Sequence, residues 1–267
     1  MNSDELTIRA KNIRRTVLDM IHNSKASHLG SSLSAIEILT AIYSVIDIEK
    51  IKQKSSARDK VILSKGHAAA ALYSTLYHFG LLTEDEISSY HQVGSLLQGH
   101  VSHGVRFVEH STGALGHGLS IGVGHSIAQK ISESNSLTYV VCGDGEIQEG
   151  SIWEALMYAS TLNLGNLILM IDNNGISSIT NTSSVINYGP LSGAFEGFGL
   201  DVHEISGHNV NAIAILLKRL RFDPGNRPHV LICNTVKGKG VSFAENQAIW
   251  HYKTLDEEAH DLALDQL

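Results

Sequence analysis

The stretch from Val141 to Ile176 limits the possible folds most. It reads Val-Cys-Gly-Asp-Gly-Glu-Ile-Gln-Glu-Gly, a helix-like interval, then Leu-Ile-Leu-Met-Ile-Asp-Asn-Asn-Gly-Ile. An apolar run Leu137–Cys142 leading to Gly143-Asp144-Gly145, a helix over Ser151–Leu162 and a second apolar run Leu167–Ile171 compose a βαβ unit. Such a unit is parallel and right-handed, and it sets the carboxyl ends of its strands side by side, where ligands of open α/β sheets bind. Asp144 and Asn174 there offer oxygen ligands to a small hard cation, and the glycines let a phosphate approach the backbone. Gly-Asp-Gly alone is a common turn. The weight comes from residues 146–172, 27 in all, which hold one helix and one strand and return the chain beside its start.

The rest of the chain extends this alternation. Leu6, Ile8, Ile13, Val17, Leu18 and Ile21 predict a helix from Asp4 to about Ser24, and Leu33 to Ile46 predicts a buried helix after a small-residue loop, Ala26–Ser32. Val61–Leu63 is a short strand, and Ser64-Lys65-Gly66-His67 turns it into an Ala-rich helix beginning near Ala68. Thr83 caps a helix to about Tyr90, and a Gly- and His-rich irregular stretch runs from His91 to His117. A helix follows over Leu119–Ile131, in which Gly122, Gly124, Ser126 and Ala128 leave one side small enough for close packing, as between subunits. Strands at Asp201–Ile205 and His229–Asn234 flank a helix over Val210–Arg221, and a final helix follows Lys253. The expected fold is α/β, a parallel sheet with helices on both faces, as a single domain over 1–267.

Charge and composition exclude several functions. The net charge is −7 with no basic run, and Lys50, Lys52 and Lys54 read as a solvated loop, so no nucleic-acid partner is expected. No apolar segment reaches bilayer length and the N-terminus is polar, so no membrane is expected either. Cys142 and Cys233 sit inside apolar strands as small buried thiols, which fits a reducing cytoplasm. Among the fifteen histidines, His100, His103, His110 and His117 could be imagined around zinc, but they lack a His-Glu-x-x-His context and a nearby cysteine.

Six motifs occur in one order: Ser27-His28-Leu29-Gly30-Ser31-Ser32-Leu33-Ser34, Ser64-Lys65-Gly66-His67-Ala68, Gln98-Gly99-His100, the run Ser111–Ser120, the run Gly143–Gly150, and the run Asn234–Phe243. In these the chain resembles the N-terminal, diphosphate-binding part of transketolase, within the thiamine diphosphate enzymes. The resemblance implies that Asp144, Asn174 and the carbonyl of Ile176 bind Mg²⁺ or Ca²⁺. It assigns His67, Gly113, Leu115, Gly143, Asp144, Gly145, Glu149, Asn174 and Ile176 to the cofactor, and His28, His67, His100 and His251 to proton transfer and hydroxyl recognition, for which imidazoles titrating near neutrality are suited. Glu149 is implied at a subunit contact, in an acidic network linking two cofactor sites. Lys237 and Lys239 are within reach of phosphate or form a mobile basic loop, and His117 faces either the diphosphate or the neighbouring helix.

The chain departs from the family pattern at Leu29 and Ser31, where Pro and Gly are usual, at Val101, where Pro is common, and at Tyr252, where Gly is common. Nothing in it matches the glutamate that activates the aminopyrimidine. The resemblance therefore implies one half of a split transketolase, moving a two-carbon ketol unit between small sugars together with a separate C-terminal subunit that carries the pyrimidine-binding domain. A homodimer contact through this chain would make the assembly α2β2. The alternatives are a component of another thiamine diphosphate enzyme acting in a specialised sugar or 2-oxo acid pathway, and a non-catalytic regulatory homologue.

Overall fold

The computed structural model describes residues 2–267. The elements run α1 (Ser3–Ser24), α2 (Leu29–Ser34), α3 (Ile36–Val45), α4 (Ile48–Lys52), β1 (Lys60–Leu63), α5 (Ala69–His78), α6 (Glu84–Ser88), α7 (His117–Ile131), β2 (Thr138–Gly143), α8 (Gly150–Thr161), β3 (Leu167–Asn173), α9 (Leu191–Glu196), β4 (Asp201–Ser206), α10 (Val210–Phe222), β5 (His229–Asn234) and α11 (Glu257–Asp265). The strands form one parallel five-stranded sheet in the order β1-β2-β3-β5-β4.

Period-two alternation divides the core. Tyr139, Val141, Ile168, Met170 and Leu231 point into a cluster shared with α1, α3, α5 and α10. Val140, Cys142, Leu169, Ile171, Val230 and Ile232 point the other way, toward α7, α8 and α9. Both faces are covered, which is why these strands read as continuous apolar runs rather than as alternating ones. Gly122 lies under the sheet, where a Cβ would meet the Val140 side chain at 2.4 Å. Its neighbours Gly124 and Ala128 face outward. The small residues of α7 thus fall on two stripes, and the closer packing is with the sheet of the same chain.

Three helical segments differ from the sequence expectation. The loop expected at residues 26–32 is already helical from Leu29. Leu29 and Leu33, one turn apart, are both fully buried, and the Ser31 and Ser34 hydroxyls find partners inside, in His251 and Asp172. Residues 48–52, expected as a solvated loop, make the one-turn helix α4. The Asp47 carboxylate accepts the amide N–H groups of Glu49 and Lys50, Ile51 is buried, and the lysines remain in water. Helix α9 has no counterpart in the sequence expectation; its fully buried residue is Phe195, with Leu191 packed beside it against the core.

Candidate active site

The carboxyl ends of β1, β2, β3 and β5 open on one cavity of about 460 Å³. Pairing fixes this convergence: Leu63 is level with Val141, Gly143 with Asp172, and Asn173 with Asn234. The cavity brings together His28, His67, His100, His251, Gly113, Leu115, Gly143, Asp144, Gly145, Asn174 and Ile176, all expected from the sequence. Glu149 does not line it. That residue is exposed at the start of α8, and His117 is exposed at the start of α7. His103 bonds Ser111 at the surface, and His110 pairs with His125.

The four imidazoles form a tight group. Ring centroids lie 5.4 Å apart for His28 and His67, 5.3 Å for His28 and His100, and 5.0 Å for both His28–His251 and His67–His251. The His28 amide donates to the His251 carbonyl at 2.9 Å, and the His28 backbone is left-handed at φ 71°, a sparsely populated state for a side-chain-bearing residue. Burial, then the positive ends of His100 and Lys237, lower His28 to about 4; burial and Lys237 lower His251 to about 3; burial and Lys65 hold His67 far below its ordinary value. The expectation that these imidazoles titrate near neutrality is therefore corrected for three of them. These three stand neutral at pH 7, each with one donor and one acceptor nitrogen, because burial disfavours the charged form and the site already holds two ammonium groups.

Close backbone approach shapes the wall around them. A Cβ on Gly66 would lie 2.5 Å from the Thr112 carbonyl carbon and oxygen, and Gly113, at φ 134°, would bring a Cβ to 2.6 Å from the His100 ring. Gly66→Ala is expected to push the irregular 91–116 stretch away from the strand end and to cost about 1–3 kcal/mol in chemical denaturation, the usual penalty of overpacking. Wild-type stability in that variant would show that the contact yields freely.

Asp144 is 5% exposed; its oxygens accept the amides of Gly145 and Gly175. Burial, then the neighbouring Asp172 carboxylate, raises it to about 6. A buried carboxylate beside the Asn174 carboxamide and the Ile176 carbonyl is an all-oxygen donor set of the kind that hard divalent cations take, and Gly143 and Gly145 leave the neighbouring backbone open for phosphate. The residues present fit both groups.

Several residues of the site go beyond the sequence expectation. Lys65 and Asp172 form an ion pair with both side chains buried, reinforced by donation from Ser34 and Thr235 to Asp172 and from Lys65 to the Ser31 carbonyl at 3.1 Å. Glu146, 2% exposed, accepts from the Ser64 hydroxyl and from the amides of Gly116 at 2.9 Å and Gly143 at 3.2 Å, so it joins three segments of the wall. Lys65 and Glu146 stand inside two of the ordered motifs, Ser64-Lys65-Gly66-His67 and Gly143-Asp144-Gly145-Glu146, and an ionisable residue beside a glycine is the signal that could have found them. Lys237 is 1% exposed and its Nζ donates to the carbonyls of Ile176 at 3.3 Å and Ser177 at 2.6 Å and to His251 Nδ1 at 3.4 Å. It is a fixed cation of the site, so the mobile-loop alternative falls; burial and the Lys65 charge lower it to about 8.

Comparison with known proteins agrees with this arrangement. Residues 6–266 match the family described as transketolase, thiamine diphosphate binding domain. The chain is 40% identical to one of the subunits of the apulose-4-phosphate transketolase of Actinobacillus succinogenes, covering 100% of this chain and 97% of that protein. It is 36% identical to the protein of the same name from Phocaeicola vulgatus, over 99% of this chain and 94% of the other. The crystal structure of transketolase from Campylobacter jejuni superposes with a TM-score of 0.89 at 28% identity; all of this chain is matched, to 43% of that one. This protein therefore belongs to the transketolase family and corresponds to its thiamine diphosphate-binding domain.

Proposed function

We propose that residues 1–267 act as one thiamine diphosphate-binding domain and form the N-terminal subunit of a two-chain transketolase. The full-length likeness to relatives that are themselves named as transketolase subunits, against a match to only 43% of a transketolase of known structure, carries this reading. Asp144, Asn174 and the Ile176 carbonyl would hold Mg²⁺, or Ca²⁺ in its place, with Gly143, Gly145, Gly113 and Leu115 around the cofactor. When bound, thiamine diphosphate supplies the electron sink for breaking and making a carbon–carbon bond beside a carbonyl. The imidazoles of His28, His67, His100 and His251 orient sugar hydroxyls and carry protons at the substrate oxygens.

The separate C-terminal subunit supplies the glutamate facing the aminopyrimidine. The homodimer contact of an α2β2 assembly fits the outer faces of α7 and α8, where Ile131, Met157 and Tyr158 are exposed. The donor is a small ketose; apulose-4-phosphate in the names of two relatives favours a specialised phosphorylated sugar.

The test is calorimetry and turnover with the two purified subunits. Ketol transfer should appear only when both chains, the cofactor and Mg²⁺ are present. Binding without transfer on any ketose tried would support the regulatory alternative, and no binding even with the partner would remove the reading.

A further inference from the structure

The segment carrying Lys237 is gripped from outside the cavity by three ionisable residues that the site itself does not use. Glu37 on α3 is 6% exposed and spends one carboxylate oxygen on each of two partners. Oε1 accepts from Arg14 of α1 at 2.8 Å, and Oε2 pairs with His208 Nδ1 at 2.9 Å. Each partner reaches on to the same loop. The Val236 amide donates to His208 Nε2 at 2.7 Å, and Arg14 Nε donates to the Lys239 carbonyl at 2.9 Å. The two grips stand on either side of Lys237 and Gly238.

The protonation pattern follows from the partners. A backbone amide can only donate, so Nε2 of His208 is bare; its proton is therefore on Nδ1, where the Glu37 carboxylate accepts it. Arg14 is always a donor, and both grips need Glu37 ionised; the His208 hydrogen bond and the Arg14 charge hold it below its usual value against the opposing effect of burial. The remaining charged groups around His208 are Lys11 of α1, which lines the adjoining surface depression, and Glu245 and Lys239 of the loop after β5.

We propose that Arg14, Glu37 and His208 are positioning residues, a clamp that fixes the Val236–Lys239 segment and thereby aims the Lys237 ammonium at the Ile176 carbonyl and His251. The role toward the cofactor rests on the function proposed above; the clamp itself does not.

Hydrogen exchange on the full chain without ligand reads the clamp directly. In His208→Leu the 235–241 segment should exchange about tenfold faster than in the wild type, the effect of losing one well-made hydrogen bond. His208→Gln keeps an acceptor for Val236 and cannot titrate. It should protect the segment as the wild type does. In the assembled complex, His208→Leu should raise the KM for thiamine diphosphate several-fold while His208→Gln does not. Wild-type exchange in His208→Leu would overturn the clamp, as would equal exchange in the Leu and Gln variants. If His208→Leu fails to fold, His208→Asn, whose shorter amide reaches Glu37 but not Val236, is read in its place, and wild-type exchange over 235–241 in that variant overturns the clamp. Altered exchange with no cofactor binding in any form would instead count against the proposed function and leave the clamp standing.

Discussion

Asp144→Ala abolishes metal-dependent binding of thiamine diphosphate in the assembled complex, with an expected loss of roughly two to three orders of magnitude in affinity, in line with truncating one member of a buried charge pair. Asp144 is the only ionisable member of its donor set; Asn174 and the Ile176 carbonyl supply dipoles alone. Its raised carboxyl gives the prediction a pH signature. For an acid lifted from near 4 to about 6, ionisation in the folded chain costs stability as pH rises through that interval, about 2–3 kcal/mol once fully charged. A bound divalent cation removes that cost. The thermal shift on adding Mg²⁺ and cofactor should therefore be larger at pH 7.5 than at pH 5.5, and affinity should weaken about tenfold for each unit below 6 as the proton competes. Calorimetry at both pH values checks it, with circular dichroism to show that the variant is folded. Unchanged affinity in Asp144→Ala would refute the metal site.

Much of this arrangement is legible because it is local in the chain. The strand ends at Asp144 and Asn174 follow from the length of one βαβ unit, and the imidazoles belong to short motifs that the fold gathers at the same edge of the sheet. Partnerships across the sequence are not legible. Lys65 and Asp172 lie 107 residues apart, and Val236 reaches back 28 residues to His208; neither interval carries a pattern. The family motif marks Glu149, whereas burial picks out Glu146. Protonation is hidden for the same reason. His28 and His251 are lowered by burial and by neighbouring charges, which composition does not encode. The helix boundary at Asp47 is set by an aspartate cap, and the helix from Leu29 is anchored by Ser31 and Ser34 hydroxyls whose partners, His251 and Asp172, are remote in sequence.

Lys65→Met is expected to be the most destabilising single change in the site, by about 3–5 kcal/mol in chemical denaturation, the usual cost of leaving one member of a buried ion pair alone. Lys65 is 2% exposed and Asp172 fully buried; burial works to raise the Asp172 carboxyl, and the Lys65 ammonium overrides it and holds the carboxyl below its ordinary value. Because that folded-state value is depressed, the pair's stabilisation is complete above the unfolded value of about 4 and is lost as pH falls through the lower folded value. Without Lys65 the sign reverses. Burial then raises Asp172, and lowering the pH toward 4 should stabilise Lys65→Met relative to its own value at pH 7 by more than it does the wild type, in which Asp172 stays ionised and only the relief at raised acids such as Asp144 is gained. A denaturation series across that range separates the cases; parallel curves would show that the ammonium does not set the Asp172 charge. Asp172→Asn tests the link to the metal site, since the Asp172 carboxylate helps raise Asp144. In that variant the pH below which Mg²⁺ and cofactor binding fails should move down from about 6, provided that the protein, left with an unpaired Lys65, is assayed where it remains folded. An unmoved midpoint would mean that burial alone sets Asp144, and that the two carboxylates at neighbouring strand ends act independently.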